Sequence, residues 1–460
     1  MAKTIFVCQS CGAESRKWQG QCADCGEWNC ISEQSAPATT LRGKVGSQRA
    51  DALTTQPITA VGRAAHQRRS TAIEELDRVL GGGLVPASAV LIGGAPGIGK
   101  STLLLQASCQ LAREQLVLYI TGEESVEQVH LRAERVGALH EQLTIAAGVE
   151  LESMLTTIAA VRPQVVVVDS IQTTLSTALT SAPGTVSQVR DCAAALIQSA
   201  KQMGHVTVLV GHVTKDGALA GPRVLEHMVD CVLYFEGDHG HSHRMLRAVK
   251  NRFGPAGEVG IFEMSDGGLH GVRDASRLFL HQRAEDVAGS VVLACMEGTR
   301  ALLVEVQALV APTVYATPKR SAVGIDPNRV AMLMAILERR IGVPLAQHDV
   351  YINVVGGVRI VEPAADLAVM MSVISAWRDQ PAVAKLGMFG EVGLTGEVRP
   401  VNQPEARVRE LITLGFDHIV LPEGNRERVE QSSITPGKRV AQVKLGAITS
   451  LGEAVQEVLH

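Results

Sequence analysis

Aromatic residues are scarce in this chain of 460 residues, since Phe, Trp and Tyr together make up only 3% of it. The cores must therefore be built mainly from Val, Leu, Ile and Ala, within the 46% of residues that are hydrophobic. An excess of basic residues is also missing, because 43 Lys and Arg stand against 47 Asp and Glu. A nucleic-acid surface would have to be a local basic patch, since the net charge is −4.

Long apolar runs are absent as well. The first eleven residues lack the apolar core of a signal peptide. The longest uncharged span, Val79–Gly99, holds seven glycines and two prolines and is not a membrane helix. We therefore expect a cytoplasmic protein of two or three domains with no membrane partner. Nine cysteines in that compartment favour metal ligands or buried thiols over disulfides.

A glycine-rich loop lies between a predicted buried strand, Ala89–Ile92, and a predicted helix that starts Leu103–Ala107. Strand, glycine loop, Lys-Ser and helix are typical of a P-loop that binds ATP. Its glycines let several backbone N–H groups point at one phosphate. We expect Lys100 to bridge the β- and γ-phosphates and Ser101 to hold Mg²⁺. The predicted nucleotide-binding residues are Gly94, Ala95, Pro96, Gly97, Ile98, Gly99, Lys100, Ser101 and Thr102.

Acidic residues follow two other predicted strands. Val165–Asp169 is an apolar run that ends in an acid, the Walker B pattern, and Asp169 would organise the Mg²⁺ water shell. The strand Leu116–Ile120 leads to Glu123 and Glu124. We choose Glu123 as the catalytic carboxylate that polarises the attacking water, with Glu124 second. Two exposed acids that cap the next helix remain the alternative.

The flanking segments complete the predicted α/β domain. Thr71–Leu80 has helical apolar spacing, and His205–Val210 predicts a buried strand. The loop that follows carries Lys215 and Arg223, and it either senses the γ-phosphate and touches DNA or merely connects two strands. A polar hairpin tip explains the histidines of 239–243 better than a metal site does.

The first thirty residues contain two CxxC pairs with ten residues between them. Two such turns complete a tetrahedral zinc site, so we predict that Zn²⁺ binds Cys8, Cys11, Cys22 and Cys25. Cys30 lies outside the pattern. Residues 31–69 read as a flexible linker with six basic and two acidic residues, and a weak phosphate contact remains open.

The pentapeptide Lys250-Asn251-Arg252-Phe253-Gly254, with the P-loop and the four cysteines, resembles the bacterial RadA (Sms) family over essentially the whole chain. That resemblance implies a RecA- and DnaB-like ATPase core, a hexameric ring on DNA, and recombinational repair of damaged DNA together with RecA. It also implies that Lys250 and Arg252 are catalytic in trans, at a neighbouring subunit's ATP. On sequence alone they are equally well surface charges of an edge strand.

The last third resembles the proteolytic domain of Lon, an α+β fold. Ala364 stands where Lon has its catalytic Ser, and Glu405 where it has Lys, so no peptidase chemistry is expected. We expect a scaffold with a DNA-binding surface, with Arg300, Lys319, Arg320 and Arg329 as candidate phosphate contacts or as an ordinary solvated face. The predicted elements are a hairpin of Ser290–Ala294 and Leu302–Leu309, helices Asp326–Ile341 and Pro363–Trp377, and strand Val350–Val355.

We thus predict a zinc ribbon (1–30), a basic linker (31–69), a RecA-like ATPase domain (70–275) and an inactive Lon-like domain (276–460). The leading function is an ATP-driven DNA translocase or helicase. A RecA-like ATP switch, which binds DNA and partners without moving along DNA, is the alternative, because motor and switch share the same catalytic parts.

Overall fold

The computed structural model describes residues 4–8, 14–15, 17–23, 28, 31–35, 57, 67–179, 181–212, 224–237, 243–281, 283–284, 286–315, 317–432 and 443–459. Several residues considered above lie outside these ranges: Cys11, Cys25, Cys30, Lys215, Arg223, His239 and His241. The chain forms two compact units, Met1–Val272 and Arg273–His460.

The first unit begins with a small antiparallel sheet in the cysteine-rich segment. Its three strands are ordered β2-β1-β3. Their bounds are β1 Thr4–Cys8, β2 Glu14–Ser15 and β3 Ile31–Ser35.

A nine-stranded sheet dominates the first unit, in the order β12-β11-β10-β9-β4-β8-β7-β5-β6. Strands β4 to β9 run parallel, whereas β10 to β12 are antiparallel. The bounds are α1 Glu74–Leu80, β4 Ala89–Gly94, α2 Lys100–Leu111, β5 Val117–Thr121, α3 Val126–Arg135, β6 Leu143–Ala147, α4 Leu151–Val161, β7 Val165–Asp169, α5 Val186–Met203, β8 Val206–His212, α6 Val224–Met228, β9 Cys231–Glu236, β10 His243–Asn251, β11 Val259–Ser265 and β12 Gly268–Gly271.

Both faces of this sheet are covered by helices. Helices α1, α2 and α3 pack on one face, and helices α4 and α5 pack on the other. Each face of the sheet has its own apolar cluster. Strands buried on both faces need continuous apolar runs, and Val165–Val168 is buried throughout. The predicted RecA-like α/β architecture is confirmed.

Several predicted element ends were wrong, and two of them have a clear physical cause. Helix α1 begins at Glu74, not at Thr71, because the Thr71 N–H donates to the Asp77 side chain (2.8 Å) and Ala72 has φ +56°. Strand β8 runs on to His212, because His212 pairs with Gly94 at the end of β4. Gly211 and His212, which were predicted to open the following loop, therefore belong to β8.

The second unit is built on a seven-stranded mixed sheet, ordered β15-β16-β14-β13-β17-β20-β21. Its elements are α7 Ala275–Leu280, β13 Ser290–Glu297, β14 Arg300–Pro312, β15 Arg320–Val323, α8 Pro327–Ile336, a π-helical turn Leu337–Ile341, a 3₁₀ turn Leu345–Gln347, β16 His348–Val354, a 3₁₀ turn Pro363–Ala365, α9 Asp366–Arg378, β17 Leu386–Met388, β18 Glu391–Val392, β19 Val398–Arg399, α10 Pro404–Thr413, β20 His418–Pro422, α11 Glu423–Gln431, β21 Lys444–Ile448 and α12 Leu451–Leu459. The predicted hairpin is β13–β14, and α9 is the unit's buried central helix.

Candidate active site

The P-loop lies at the carboxyl end of β4, in the middle of the parallel strands. Gly97 and Gly99 adopt φ angles of +76° and +114°, which L side chains rarely adopt. A Cβ atom on Gly99 would lie only 2.8 Å from the Met264 side chain. The loop can therefore turn tightly into α2, whose positive N-terminal end faces the phosphate-binding loop.

Lys100 is the first residue of α2 and only 5% of it is exposed. Its Nζ donates to the carbonyl oxygens of Gly94 (2.8 Å) and Ala95 (2.9 Å). Burial lowers the pKa of Lys100, and the charges of Asp169 and Glu123 oppose this shift. The amine thus sits inside the loop and faces two carboxylates. Ser101 and Thr102 follow it in the first turn of α2, half-buried.

Asp169 ends β7 and is 8% exposed. The Tyr119 hydroxyl donates a hydrogen bond of 2.5 Å to Asp169 Oδ2. Burial, and then the charge of Asp169, raise the pKa of Tyr119, so the hydroxyl remains a donor. Tyr119 thus holds one carboxylate oxygen of Asp169, and the role of Asp169 in the Mg²⁺ water shell stays a prediction.

Glu123 and Glu124 have different partners. Glu123 Oε1 accepts hydrogen bonds from the Ser170 hydroxyl and from His212 Nε2 (2.9 Å). Burial opposes ionisation of Glu123, but these two bonds and the charge of Lys100 outweigh it and lower its pKa. Glu124 instead forms an ion pair with Arg132 of α3. The choice of Glu123 as catalytic carboxylate stays a prediction, now with a distinct environment for each acid.

Sequence reasoning missed His212. Its Nδ1 lies 3.4 Å from Lys100 Nζ, and its Nε2 lies 2.9 Å from Glu123 Oε1. The imidazole therefore connects the P-loop lysine to the candidate catalytic carboxylate. The sequence signal was the strand itself, because extending it by two residues brings His212 beside Gly94.

Lys250 and Arg252 lie at the level of the amino ends of β4 and β9, whereas the P-loop follows the carboxyl end of β4. Strand β10 runs antiparallel to β9, and Asn251 pairs with Cys231, whereas Gly94 pairs with Phe235. Four residues along a strand separate the two levels by roughly 13 Å. These cations therefore do not reach the P-loop of their own chain.

Each of the two cations is held by groups near the end of α6. Lys250 Nζ donates to the carbonyl oxygens of Glu226 (2.7 Å) and Val229 (2.8 Å). Arg252 forms an ion pair with Asp230 at 3.1 Å, and its side chain is 53% exposed. The guanidinium of Arg252 thus pairs with Asp230 through Nη1, while about half of the side chain stays exposed.

Half of the predicted zinc site lies in the described residues. Cys8 ends β1 and is fully buried, and Cys22 is 4% exposed. Cys11 and Cys25 lie outside the described residues. Two buried thiols in so small a sheet suit a metal site, because the segment has no core of its own.

In the second unit, the structure shows the surroundings of Ala364 and Glu405, whose correspondence to the catalytic Ser and Lys of Lon stays a prediction. Ala364 is buried in the 3₁₀ turn before α9, and Glu405 forms an ion pair with Arg428 (2.9 Å). Among the candidate phosphate contacts, Arg329 is committed to the buried carboxylate of Asp366. Arg320 donates to the Leu345 carbonyl oxygen (2.7 Å).

The other two candidate phosphate contacts have neighbours of their own. Arg300 donates to the Arg273 carbonyl oxygen (2.6 Å). Lys319 Nζ lies 4.0 Å from the centre of the Tyr315 ring. Their role as phosphate contacts stays a prediction.

The sheet order, the P-loop and the acidic residues at one sheet edge define a P-loop ATPase of the RecA type. Residues 69–270 match a family model described as KaiC ATPase. Residues 6–33 match a rubredoxin-type zinc-ribbon metal-binding domain, and 338–460 the C-terminal proteolytic domain of Lon protease. The chain belongs to the RadA family, as the following relatives show.

The relatives match over almost their entire length. The chain is 51% identical over 426 residues to the DNA repair protein RadA of Halalkalibacterium halodurans, covering 92% of this chain and 93% of that protein. It is 49% identical over 457 residues to the RadA protein of Listeria monocytogenes, covering 99% and 98%. A KaiC-like protein from Pyrococcus horikoshii aligns with 45% of this chain and 99% of its own, at 20% identity and a TM-score of 0.39. The resemblance to RadA is confirmed.

Within the described residues, no helix is long and apolar enough to cross a membrane.

Proposed function

We propose that this chain is an ATP-driven DNA translocase of recombinational repair, which works as a hexameric ring in the cytoplasm. It would bind single-stranded and branched DNA and promote branch migration together with RecA. Support comes from relatives named DNA repair proteins, which match at 49–51% identity over nearly the whole chain.

One observation carries the ring mechanism. The P-loop lies at the carboxyl ends of the parallel strands, and the Lys250–Arg252 segment lies at the level of their amino ends. A head-to-tail ring places two different surfaces of neighbouring subunits against each other. Arg252 would then complete the neighbour's site, where a cation stabilises the negative charge that spreads over the γ-phosphate.

The remaining catalytic roles belong to the site's own chain. The loop Gly94–Thr102 would hold the phosphates through its backbone N–H groups, with Lys100 at its centre. Ser101 and Asp169 would hold Mg²⁺, which neutralises phosphate charge when bound. The lowered pKa of Glu123 favours its charged form. As a carboxylate, Glu123 would orient and polarise the attacking water.

The proposed domains are the zinc ribbon (1–30), the basic linker (31–69), the ATPase domain (70–275) and the Lon-like domain (276–460). Zn²⁺ would be bound by Cys8, Cys11, Cys22 and Cys25. The Lon-like domain would serve as scaffold and DNA surface, and Ala364 and Glu405 argue against peptidase activity.

The test is ATP hydrolysis with and without single-stranded DNA, together with displacement of a labelled strand from a branched substrate. We expect DNA to stimulate hydrolysis and ATP to drive strand exchange, with both lost in Lys100→Ala because the phosphates lose their fixed cation. DNA-stimulated hydrolysis without strand movement would favour the ATP switch. Hydrolysis that is unchanged in Lys100→Ala would contradict the P-loop assignment.

A further inference from the structure

Two consecutive arginines end the proposed basic linker, and their side chains reach different parts of the first unit. Arg69 Nη1 donates to Gln115 Oε1 (2.7 Å) and to the Gln164 carbonyl oxygen (3.1 Å). Arg68 Nη2 instead donates to the Phe253 carbonyl oxygen (2.5 Å). Arg68 therefore joins the end of the linker to a segment that follows 185 positions later in the chain.

The other contacts of Arg68 are at the end of α1. Its Nη1 donates to the Gly81 carbonyl oxygen and lies 3.5 Å from the Leu80 carbonyl oxygen. Carbonyl groups at the C-terminal end of a helix have no partner within the helix and carry its partial negative charge. A guanidinium is planar and has several donors in fixed directions, so it can bind carbonyl groups of two segments at once. Arg68 thus connects the end of α1 to Phe253.

The backbones of these two segments also lie in contact. Gly81 caps the end of α1 with a φ angle of +78°. A Cβ atom placed on Gly81 would lie 3.2 Å from Gly254 Cα, and one placed on Gly254 would lie 3.1 Å from Gly81 Cα. Because neither residue has a side chain, the two backbones approach closely enough for Arg68 to bind both.

Arg252 lies between two residues that are fixed to α1. Asn251 Nδ2 donates to the Val79 carbonyl oxygen (3.2 Å), and Asn251 Oδ1 accepts from the Phe253 N–H (2.9 Å). The Phe253 carbonyl oxygen accepts from Arg68. The backbone is therefore held to the end of α1 by Asn251 before Arg252 and by Arg68 after it.

We propose that Arg68 is a positioning residue for Arg252, which it holds in place for the ATP of the neighbouring subunit. This inference rests on the proposed function, in which Arg252 acts in trans. A cation stabilises the charge on the γ-phosphate only where it is correctly placed, and a displacement of about 1 Å can lower a rate about a hundredfold. Without Arg68, the carbonyl group that follows Arg252 loses its hydrogen bond and the segment can shift.

Steady-state kinetics of the full chain give the first test. Arg68→Ala should lower kcat for DNA-stimulated ATP hydrolysis by about tenfold to a hundredfold. The KM for ATP should stay within about twofold, because the P-loop of the same chain is unchanged. Arg68→Lys, whose single ammonium group lacks the planar fork, should give an intermediate loss. Arg69→Ala is the matched control, since it removes the adjacent arginine with its separate contacts, and its kcat should change by less than about twofold. An unchanged kcat in Arg68→Ala would overturn the inference.

Hydrogen exchange tests the structural step by itself. In Arg68→Ala, the backbone amides of residues 251–254 should exchange faster than in the wild-type chain, because the segment is less firmly held. Exchange in α2 should stay the same in both proteins. Unchanged exchange at residues 251–254 would contradict the role of Arg68, and faster exchange in α2 as well would indicate a general loss of structure and would also contradict it.

Mixing of variant subunits shows on which side of the subunit interface Arg68 acts. Arg68→Ala subunits keep an intact P-loop, and Lys100→Ala subunits keep a correctly held Arg252. A mixture of these two variants should therefore hydrolyse ATP faster than the average of the separate proteins. A mixture of Arg68→Ala with Arg252→Ala should not, because both changes damage the same side of the interface. Recovery in the second mixture and not in the first would overturn the inference.

A third mixture, Arg252→Ala with Lys100→Ala, reports on the proposed function alone. If it recovers activity and the mixture of Arg68→Ala with Lys100→Ala does not, the inference is overturned and the proposed function stands. If neither mixture recovers activity, both are overturned.

Discussion

His212 joins two residues that the sequence had assigned separately. If Nε2 carries the ring proton, it donates to Glu123, and Nδ1 is then free to accept from Lys100. With this tautomer, a single imidazole holds the carboxylate and faces the lysine. We therefore interpret His212 as a positioning group for Glu123.

We expect His212→Ala to lower kcat for ATP by about tenfold to a hundredfold, because Glu123 loses its fixed orientation. The KM for ATP should stay within about twofold, since the P-loop and Lys100 are unchanged. His212→Gln, whose amide can also donate, should recover part of the rate. His130→Ala, an exposed histidine of α3, is the control. A raised KM with unchanged kcat would instead indicate a role in nucleotide binding.

The P-loop could be predicted from sequence because its glycines are required by the local backbone conformation. Asp169 and Glu123 could be placed because each follows an apolar strand. His212 could not be predicted, since its role depends on two further residues of pairing between β8 and β4, which no local pattern shows. The partners that distinguish Glu123 from Glu124 also come from other elements, β8 and α3.

Between secondary-structure elements, the buried side chain of Arg407 in α10 connects parts of the Lon-like unit. Its guanidinium forms a double hydrogen bond with Glu362 (2.6 and 2.8 Å) and donates to the carbonyl oxygens of Ala294 (2.7 Å) and Asn402 (3.1 Å). The side chain is only 1% exposed. This one residue therefore fastens α10 to β13 and to the turn before α9.

Arg407→Met should reduce the stability of the second unit by about 3 to 5 kcal/mol, because it leaves the Glu362 carboxylate without its ion-pair partner. Urea unfolding followed by Trp377 fluorescence measures this, in a background with Phe at both ribbon tryptophans. Arg426→Met removes an exposed pair with Glu430 and should change stability by less than about 0.5 kcal/mol. Equal effects from the two variants would contradict the account of Arg407.

The existence and type of elements with strong apolar patterns were predicted correctly, whereas their first and last residues were predicted less accurately. The hairpin and helix α9 follow directly from periodicity, although the predicted helix Pro363–Trp377 is a 3₁₀ turn over Pro363–Ala365 and α-helical only from Asp366 to Arg378. The helix predicted over Asp326–Ile341 is α-helical only to Ile336 and ends in a π-helical turn. Periodicity of apolar residues does not distinguish a helix of 3.6 residues per turn from a wider turn over five residues.

At the scale of the whole chain, the ribbon is expected to depend on metal. Cys8→Ser with Cys22→Ser should abolish binding of about one Zn²⁺ per chain and unfold the ribbon, because a segment without a core folds on its metal. Metal analysis and circular dichroism check this. Cys30→Ser, outside the CxxC pattern, should keep the zinc. Full zinc content in the double variant would exclude the predicted ligand set.

The sheet topology shows where Lys250 and Arg252 lie relative to the P-loop of their own chain, which the sequence alone does not show. The resemblance to RadA implied a trans role, but charge alone equally suited a surface edge. The antiparallel direction of β10 separates these residues from their own P-loop. Only the order and direction of the strands, which local patterns do not encode, could show this.

Subunit mixing tests the shared site most directly. Subunits with Arg252→Ala keep an intact P-loop, and subunits with Lys100→Ala keep an intact Arg252. If the two variants mix at random in a ring, roughly one quarter of the subunit interfaces combine both intact parts. A mixture of Lys100→Ala with Glu123→Gln is the control, because both changes damage the P-loop side of the subunit interface and no interface can combine two intact parts. We predict that DNA-stimulated ATP hydrolysis recovers in the first mixture and not in the control. Activity in the first mixture no higher than the average of its two variants would contradict catalysis between subunits.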